Sequence, residues 1–255
     1  RLDAAHAPLA NPFREIYTVY AGGDDVLLVG PWDTAVLAAR DLQADFHRYT
    51  TGNPNLTLSA TVVVAKPRYP VAKLARRAGE QLEQGAKALG RNRFHLFGIT
   101  TPWYHRTPRL GRDRVEQELH QALTDDQGLT TDALWAWAEF FDDQLYAYIQ
   151  ARANQATYPI SNILLHRLLR LSQLGQRLYT NGSGAIRDLT YMAQVAYQLG
   201  RNVKEKDFPD AATYQAVAPR LMTLTQLNNL KLMAHLQLPL MWALYRNRQR
   251  SSEDE

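Results

Sequence analysis

The stretch Tyr20-Ala21-Gly22-Gly23-Asp24-Asp25-Val26-Leu27-Leu28-Val29-Gly30 decides how this chain folds. Residues Ile16–Ala21 are β-branched and aromatic, and Val26–Gly30 is a second short apolar run. Two strand-forming runs separated by a Gly- and Asp-rich tetrapeptide spell a β-hairpin. The glycines supply the positive φ values that tight turns require. Asp has a turn propensity of its own, so a plain solvated turn accounts for the aspartates as well. Two adjacent carboxylates on a rigid tip also suit Mg²⁺, which takes carboxylate oxygens together with substrate phosphates. Two such ions roughly 4 Å apart activate a hydroxyl and stabilise a leaving pyrophosphate.

Outward from the hairpin, the first hundred residues alternate strand and helix. Pro31-Trp32-Asp33 opens a helix, with Asp33 as its expected N-cap and Ala35, Ala38, Ala39, Leu42, Phe46 and Tyr49 as its apolar stripe. Leu56–Ala65 reads as a strand. A second helix is expected from Pro70 to Leu89, burying Val71, Leu74, Ala75, Ala78, Leu82, Ala86 and Leu89 and ending at Gly90. Phe94–Phe97 is the last strand. The order β-β-α-β-α-β becomes a ferredoxin-like palm if one strand and a helix are added before residue 16. The expected fold class is therefore α+β: a palm whose first strand is missing, followed by an all-α helical bundle.

From about Asp113 the pattern is helical. Leu134, Trp137, Phe141, Leu145 and Tyr148 form one stripe, and Leu164, Leu168, Leu171, Leu174 and Leu178 another. Leu189, Met192, Ala196 and Leu199 form a third, and Leu227, Leu230 and Met233 belong to a long last helix broken near Pro239. The charged tail from Arg246 reads as frayed. This assigns residues 1–98 to the palm, 99–112 to a linker containing Pro102, Pro108 and Gly111, and 113–255 to the helical domain.

Composition narrows the classes. Five Trp and thirteen Tyr in 255 residues favour an ordered core. The absence of Cys excludes disulfides and thiolate metal sites, which fits a cytoplasmic protein. No apolar run approaches the roughly 20 residues that span a membrane, so no membrane partner is expected. A net charge of +4 permits contact with nucleotides or nucleic acid. The seven His are scattered and read as structural or surface residues.

Gly85-Ala86-Lys87-Ala88-Leu89-Gly90-Arg91-Asn92-Arg93 places two cations near the end of the second helix. Lys87 and Arg91 suit a triphosphate. Basic residues at a helix C-terminus also favour the macrodipole, which is the ordinary reading.

The strand–GGDD–strand unit followed by Ala86-Lys87-x-x-Gly90-Arg91-Asn92-Arg93 resembles the palm of nucleotide cyclases and diguanylate cyclases. A diguanylate cyclase usually has Phe after its acidic pair, where this chain has Val26. Its inhibitory Arg-x-x-Asp would fall on Phe13 and Ile16. The run Tyr20–Trp32, together with Leu58-Ser59-Ala60, Lys66-Pro67-Arg68-Tyr69-Pro70 and Gly90–Gly98, is similar instead to the large subunit of type III CRISPR effector complexes, subtype A. The similarity extends more loosely to Leu238-Pro239-Leu240 and Tyr245-Arg246-Asn247-Arg248.

That resemblance implies antiviral defence: on binding target RNA, a multi-subunit ribonucleoprotein converts ATP to cyclic oligoadenylates by metal-dependent 3′-5′ nucleotidyl transfer. It implies that Asp24 and Asp25 bind Mg²⁺ or Mn²⁺, that Gly22 and Gly23 admit the nucleotide, that Lys87 and Arg91 contact phosphates, and that Ser59 touches adenine. The implied partners are crRNA, target RNA and the other subunits, with small subunits docking on the helical domain. An HD nuclease is common in the family, but no His-Asp dipeptide occurs here. The resemblance also implies that the chain by itself makes no product, because a metal ligand from a first strand and a second nucleotide surface from a partner palm are both needed. Two alternatives stand beside this reading: a catalytically silent palm acting as scaffold, and a diguanylate cyclase-like enzyme.

Overall fold

Strand propensity on both sides of the Gly-Asp turn produces the expected hairpin. In the computed structural model, which describes residues 13–53, 55–88, 90–103, 129–180, 190–226 and 229–253, β1 (Tyr17–Gly22) pairs antiparallel with β2 (Asp25–Val29). The chain divides into two units, Arg1–Leu96 and Phe97–Glu255.

In the first unit, α1 (Trp32–Tyr49) follows the hairpin. Pro31, not Asp33, occupies the N-cap, and no side chain caps the helix. Asp33 sits in the first turn and accepts from the Thr34 amide at 2.8 Å. Proline is well suited there because the amide it lacks has no partner in a first turn. Burial along α1 also departs from the predicted stripe. Ala38 is buried as predicted, but so is Val36, and Leu42 and Tyr49 are exposed.

β3 (Ala60–Val62) is shorter than the Leu56–Ala65 run and pairs in parallel with β4 (Arg93–Leu96), Ala60 opposite Phe94 and Val62 opposite Leu96. A parallel pair needs a crossover, here α2 (Val71–Gln81) continued by a π-helical turn, Leu82–Lys87. No residue of α2 is fully buried and Val71 is exposed, while Ala86 in the π turn is completely buried. The wider turn carries Gly85 against β4: a Cβ on Gly85 would lie 2.7 Å from His95 Nδ1 and 3.0 Å from its Cγ. Phe94 and Leu96 are fully buried and form the centre of this unit. The hairpin and the β3–β4 pair belong to separate sheets. The expected first strand before residue 16 would fall mainly on residues 1–12, outside the described residues.

The second unit is predominantly helical, as the stripes predict. It opens with β5 (Ile99–Pro102), a strand within the segment read as linker. The β-branched run Ile99-Thr100-Thr101 is its signal. Among the described residues, six α-helices follow: α3 (Thr131–Ala153), α4 (Asn162–Thr180), α5 (Thr190–Asn202), α6 (Ala211–Met222), α7 (Leu230–His235) and α8 (Gln237–Glu253). Thr130 caps α3 and Asp210 caps α6, each accepting a backbone amide three residues on.

α3 packs along α8, and Trp135 meets Trp242 at 4.4 Å between ring centroids. Leu134, Trp137, Phe141 and Leu145 are buried as predicted, as are Leu164, Leu168 and Leu171. Leu174 is exposed instead, and on α5 Val195 rather than Ala196 turns inward. Ser172 Oγ, fully buried, donates to the Met233 carbonyl at 2.7 Å and ties α4 to α7. The break in the last helix falls at Leu236, three residues before Pro239. Pro239 sits in the first turn of α8, where its missing amide costs nothing. α8 then continues to Glu253 where fraying was expected, anchored by Asn247, whose Nδ2 donates to Asp142 Oδ1 at 2.9 Å.

Candidate active site

The hairpin tip follows from its register. Gly22 faces Asp25, which leaves Gly23-Asp24 as a two-residue loop. Gly23 has φ +62° at the first loop position, as a Gly-first hairpin turn requires. A Cβ on Gly23 would meet no atom within 4 Å, so its surface is open. At Gly22 a Cβ would lie 2.8 Å from the Tyr20 hydroxyl, which is folded back over the strand. The register slips by one residue between Thr18 and Tyr20, making Val19 a bulge that bends β1 just before the turn.

Asp24 and Asp25 are both exposed, and neither forms a hydrogen bond or ion pair among the described residues. Mg²⁺ uses one or two protein carboxylates and fills its remaining positions with water and phosphate oxygens, so this donor pair fits such an ion. Among the described residues, no group of three or more His, Asp or Glu converges on one point.

Lys87 ends the π turn, and its Nζ lies 2.6 Å from Glu83 Oε1, one turn earlier. Arg91 follows Gly90, which has φ +101°, and is exposed in the bend before β4. The two cations are therefore not on consecutive turns of one helix, because the helix ends before Arg91. Ser59 accepts a hydrogen bond from the Asn92 amide at 3.1 Å, so the structure brings Ser59 to the Arg91–Asn92 bend.

Asn92 is the residue that pattern reading passed over. It is buried, holds φ +70°, and its Oδ1 has no hydrogen-bond partner among the described residues. Its signal is the Gly90-Arg91-Asn92 run, since Asn tolerates left-handed backbone better than other non-Gly residues. His95, the next buried polar residue, has its pKa pushed below 6.5 by burial.

The matches to known proteins centre on this unit. Residues 4–95 match the Cas10/Cmr2 second palm domain. A Methanocaldococcus jannaschii protein named CRISPR system single-strand-specific deoxyribonuclease Cas10/Csm1 (subtype III-A) is 44% identical over 70 residues, 28% of this chain and 9% of the relative. The Mycobacterium tuberculosis protein of the same name is 41% identical over 85 residues, 33% of this chain and 10% of that relative. The Enterococcus italicus counterpart is 30% identical over 147 residues, 54% of this chain and 19% of its own length. The match thus spans less than a fifth of each of these relatives. Residues 4–95 thus match the second palm domain of Cas10/Cmr2, and the relatives they resemble are named Cas10/Csm1 of subtype III-A.

Proposed function

We propose that this palm joins ATP molecules into cyclic oligoadenylates by 3′-5′ nucleotidyl transfer, as part of a type III effector that assembles with crRNA, target RNA and other subunits, small subunits among them. The observation that carries the reading is the exposed Asp24-Asp25 pair, with no partner among the described residues, on the bulged hairpin of a unit that matches a second palm domain. Asp24 and Asp25 hold Mg²⁺ or Mn²⁺, whose chemistry there is activation of the attacking hydroxyl and neutralisation of the leaving pyrophosphate. Open backbone at Gly23 admits the nucleotide. Lys87 and Arg91 receive phosphate charge, and Ser59 fixes the bend that carries Arg91.

The test is to incubate the full-length subunit, within its complex, with each labelled nucleotide and Mg²⁺ or Mn²⁺, with and without target RNA. Linked adenylates are expected from ATP when target is present, and their loss is expected with Asp24→Ala and Asp25→Ala combined while target binding persists. Undiminished synthesis by that variant overturns the assignment. No product from the wild type with any nucleotide points to a scaffold, and a guanylate product points to a diguanylate cyclase.

A further inference from the structure

Residues 144–204 contain a single acid, Asp188, although 25 acids are spread over the 255-residue chain. Both α4 and α5 lie in this stretch and neither contains Asp or Glu. The two helices pack against each other, and their Leu164, Leu165, Leu168, Met192, Val195 and Leu199 are buried, while Arg170, Gln173, Arg177 and Gln194 are exposed. Between the two helices runs a groove of about 740 Å³, lined by Arg167, Arg170, Arg177, Gln173, Gln194 and Gln198 among others, with no acid among its described lining residues.

The arginines follow helical spacing along α4, so all three reach the same groove. Arg167 donates to Gln198 Oε1 at 3.0 Å, which fixes one guanidinium across the groove. Arg170 is exposed and forms no hydrogen bond or ion pair among the described residues. Beside the groove, Leu174 is 40% exposed and Tyr197 58% exposed, two flat or apolar surfaces among cations. Arg201 donates to the Tyr197 hydroxyl at 3.0 Å, extending the basic strip along α5.

Four arginines, amide side chains able to donate and accept, and an exposed ring match one ligand chemistry. Guanidinium forks take phosphate oxygens two at a time, and an aromatic ring takes the face of an unpaired base. We propose that the α4–α5 groove binds the phosphodiester backbone of a single-stranded nucleic acid. The proposal goes beyond the palm reaction and does not depend on it, since the groove shares no residue with the hairpin.

The test uses the whole 255-residue chain with fluorescein-labelled 20-nucleotide oligo(rU) and oligo(dT), followed by anisotropy across a range of NaCl concentrations. Each phosphate contact on a single strand contributes about 0.7 to the slope of log K against log[salt]. Arg167→Gln, Arg170→Gln and Arg177→Gln combined should therefore lower the slope by about 2. Arg170→Glu alone should lower it by about 0.7 or more, and because Arg170 is exposed it decides the matter if the triple variant loses its helical circular dichroism. A loss shared by both oligonucleotides assigns backbone recognition alone, and a loss with oligo(rU) only assigns RNA. Slopes unchanged in every arginine variant overturn the proposal. So does binding of a poly-glutamate peptide that matches the oligonucleotides in affinity and arginine dependence, which makes the groove a protein-docking face.

Discussion

The backbone amide of Asn92 donates to Ser59 Oγ at 3.1 Å, joining residues 33 apart in sequence. This bond ties the approach to β3 to the bend that precedes β4, the bend that carries Arg91. Ser59 thus has a structural duty irrespective of any contact with adenine. Ser59→Ala removes the acceptor from an amide of a buried residue, and the expected cost is about 1–3 kcal/mol. Urea unfolding without nucleotide measures it. An unchanged midpoint would mean that the bend holds its shape without this bond.

Asp24 and Asp25 are expected to separate stability from activity. Both are exposed, adjacent and of like charge, so Asp24→Asn with Asp25→Asn should leave the thermal midpoint within about 2 °C of wild type. The same pair of changes in the full-length subunit within its complex should abolish conversion of ATP. A large drop in the midpoint would assign the carboxylates to the fold instead.

Lys87 is held by Glu83 at 2.6 Å, and a phosphate must compete with that carboxylate. An exposed pair of this kind contributes about 0–1 kcal/mol to stability, so Glu83→Gln should barely alter unfolding. It should lower the apparent KM for ATP, whereas Lys87→Ala should raise it by roughly tenfold, the equivalent of one charge-assisted hydrogen bond. If Glu83→Gln and Lys87→Ala both leave KM unchanged, Lys87 serves only the helix end.

Two histidines are expected to make the chain less stable in acid. Burial pushes the pKa of His95 below 6.5, and burial does the same for His235, against the opposing effect of its hydrogen bond to the Lys231 carbonyl. A histidine with a depressed folded pKa binds more protons when unfolded. Stability is therefore fully present above pH 6.5 and falls as pH drops beneath it, by at most about 1.4 kcal/mol per pH unit for each histidine. Urea midpoints between pH 7.5 and 5 test the sign. His235→Gln should flatten the part of the decline that belongs to the helical unit.

Local pattern was sufficient for several features because each depends on neighbours in sequence. Strand formers on both sides of Gly22-Gly23-Asp24-Asp25 specify a hairpin without help from elsewhere, and its tip carries the carboxylates wherever the sheet lies. The Leu and aromatic spacing of α3 and α4 likewise specifies amphipathic helices. Ile99-Thr100-Thr101 was legible too, but the prolines around it gave the segment the look of a linker.

The remainder needed contacts between distant residues. Whether Val36 or Leu42 turns inward on α1 depends on what packs against the helix, and periodicity gives a face without giving its depth. Gly85 is understandable only once the π turn brings it against His95, ten residues on in another element. Lys87 and Arg91 share a helix face in an idealised projection, yet the helix ends between them and Glu83 takes the lysine. Arg167, Arg170 and Arg177 read alone are an ordinary solvated face. They line a groove because α5 lies alongside with its glutamines, and neither helix contains an acid. The sequence by itself determined which residues carry charge and which strands and helices present them. The tertiary structure decided which charges remain available, because a partner for a side chain is set by packing between elements far apart in the chain.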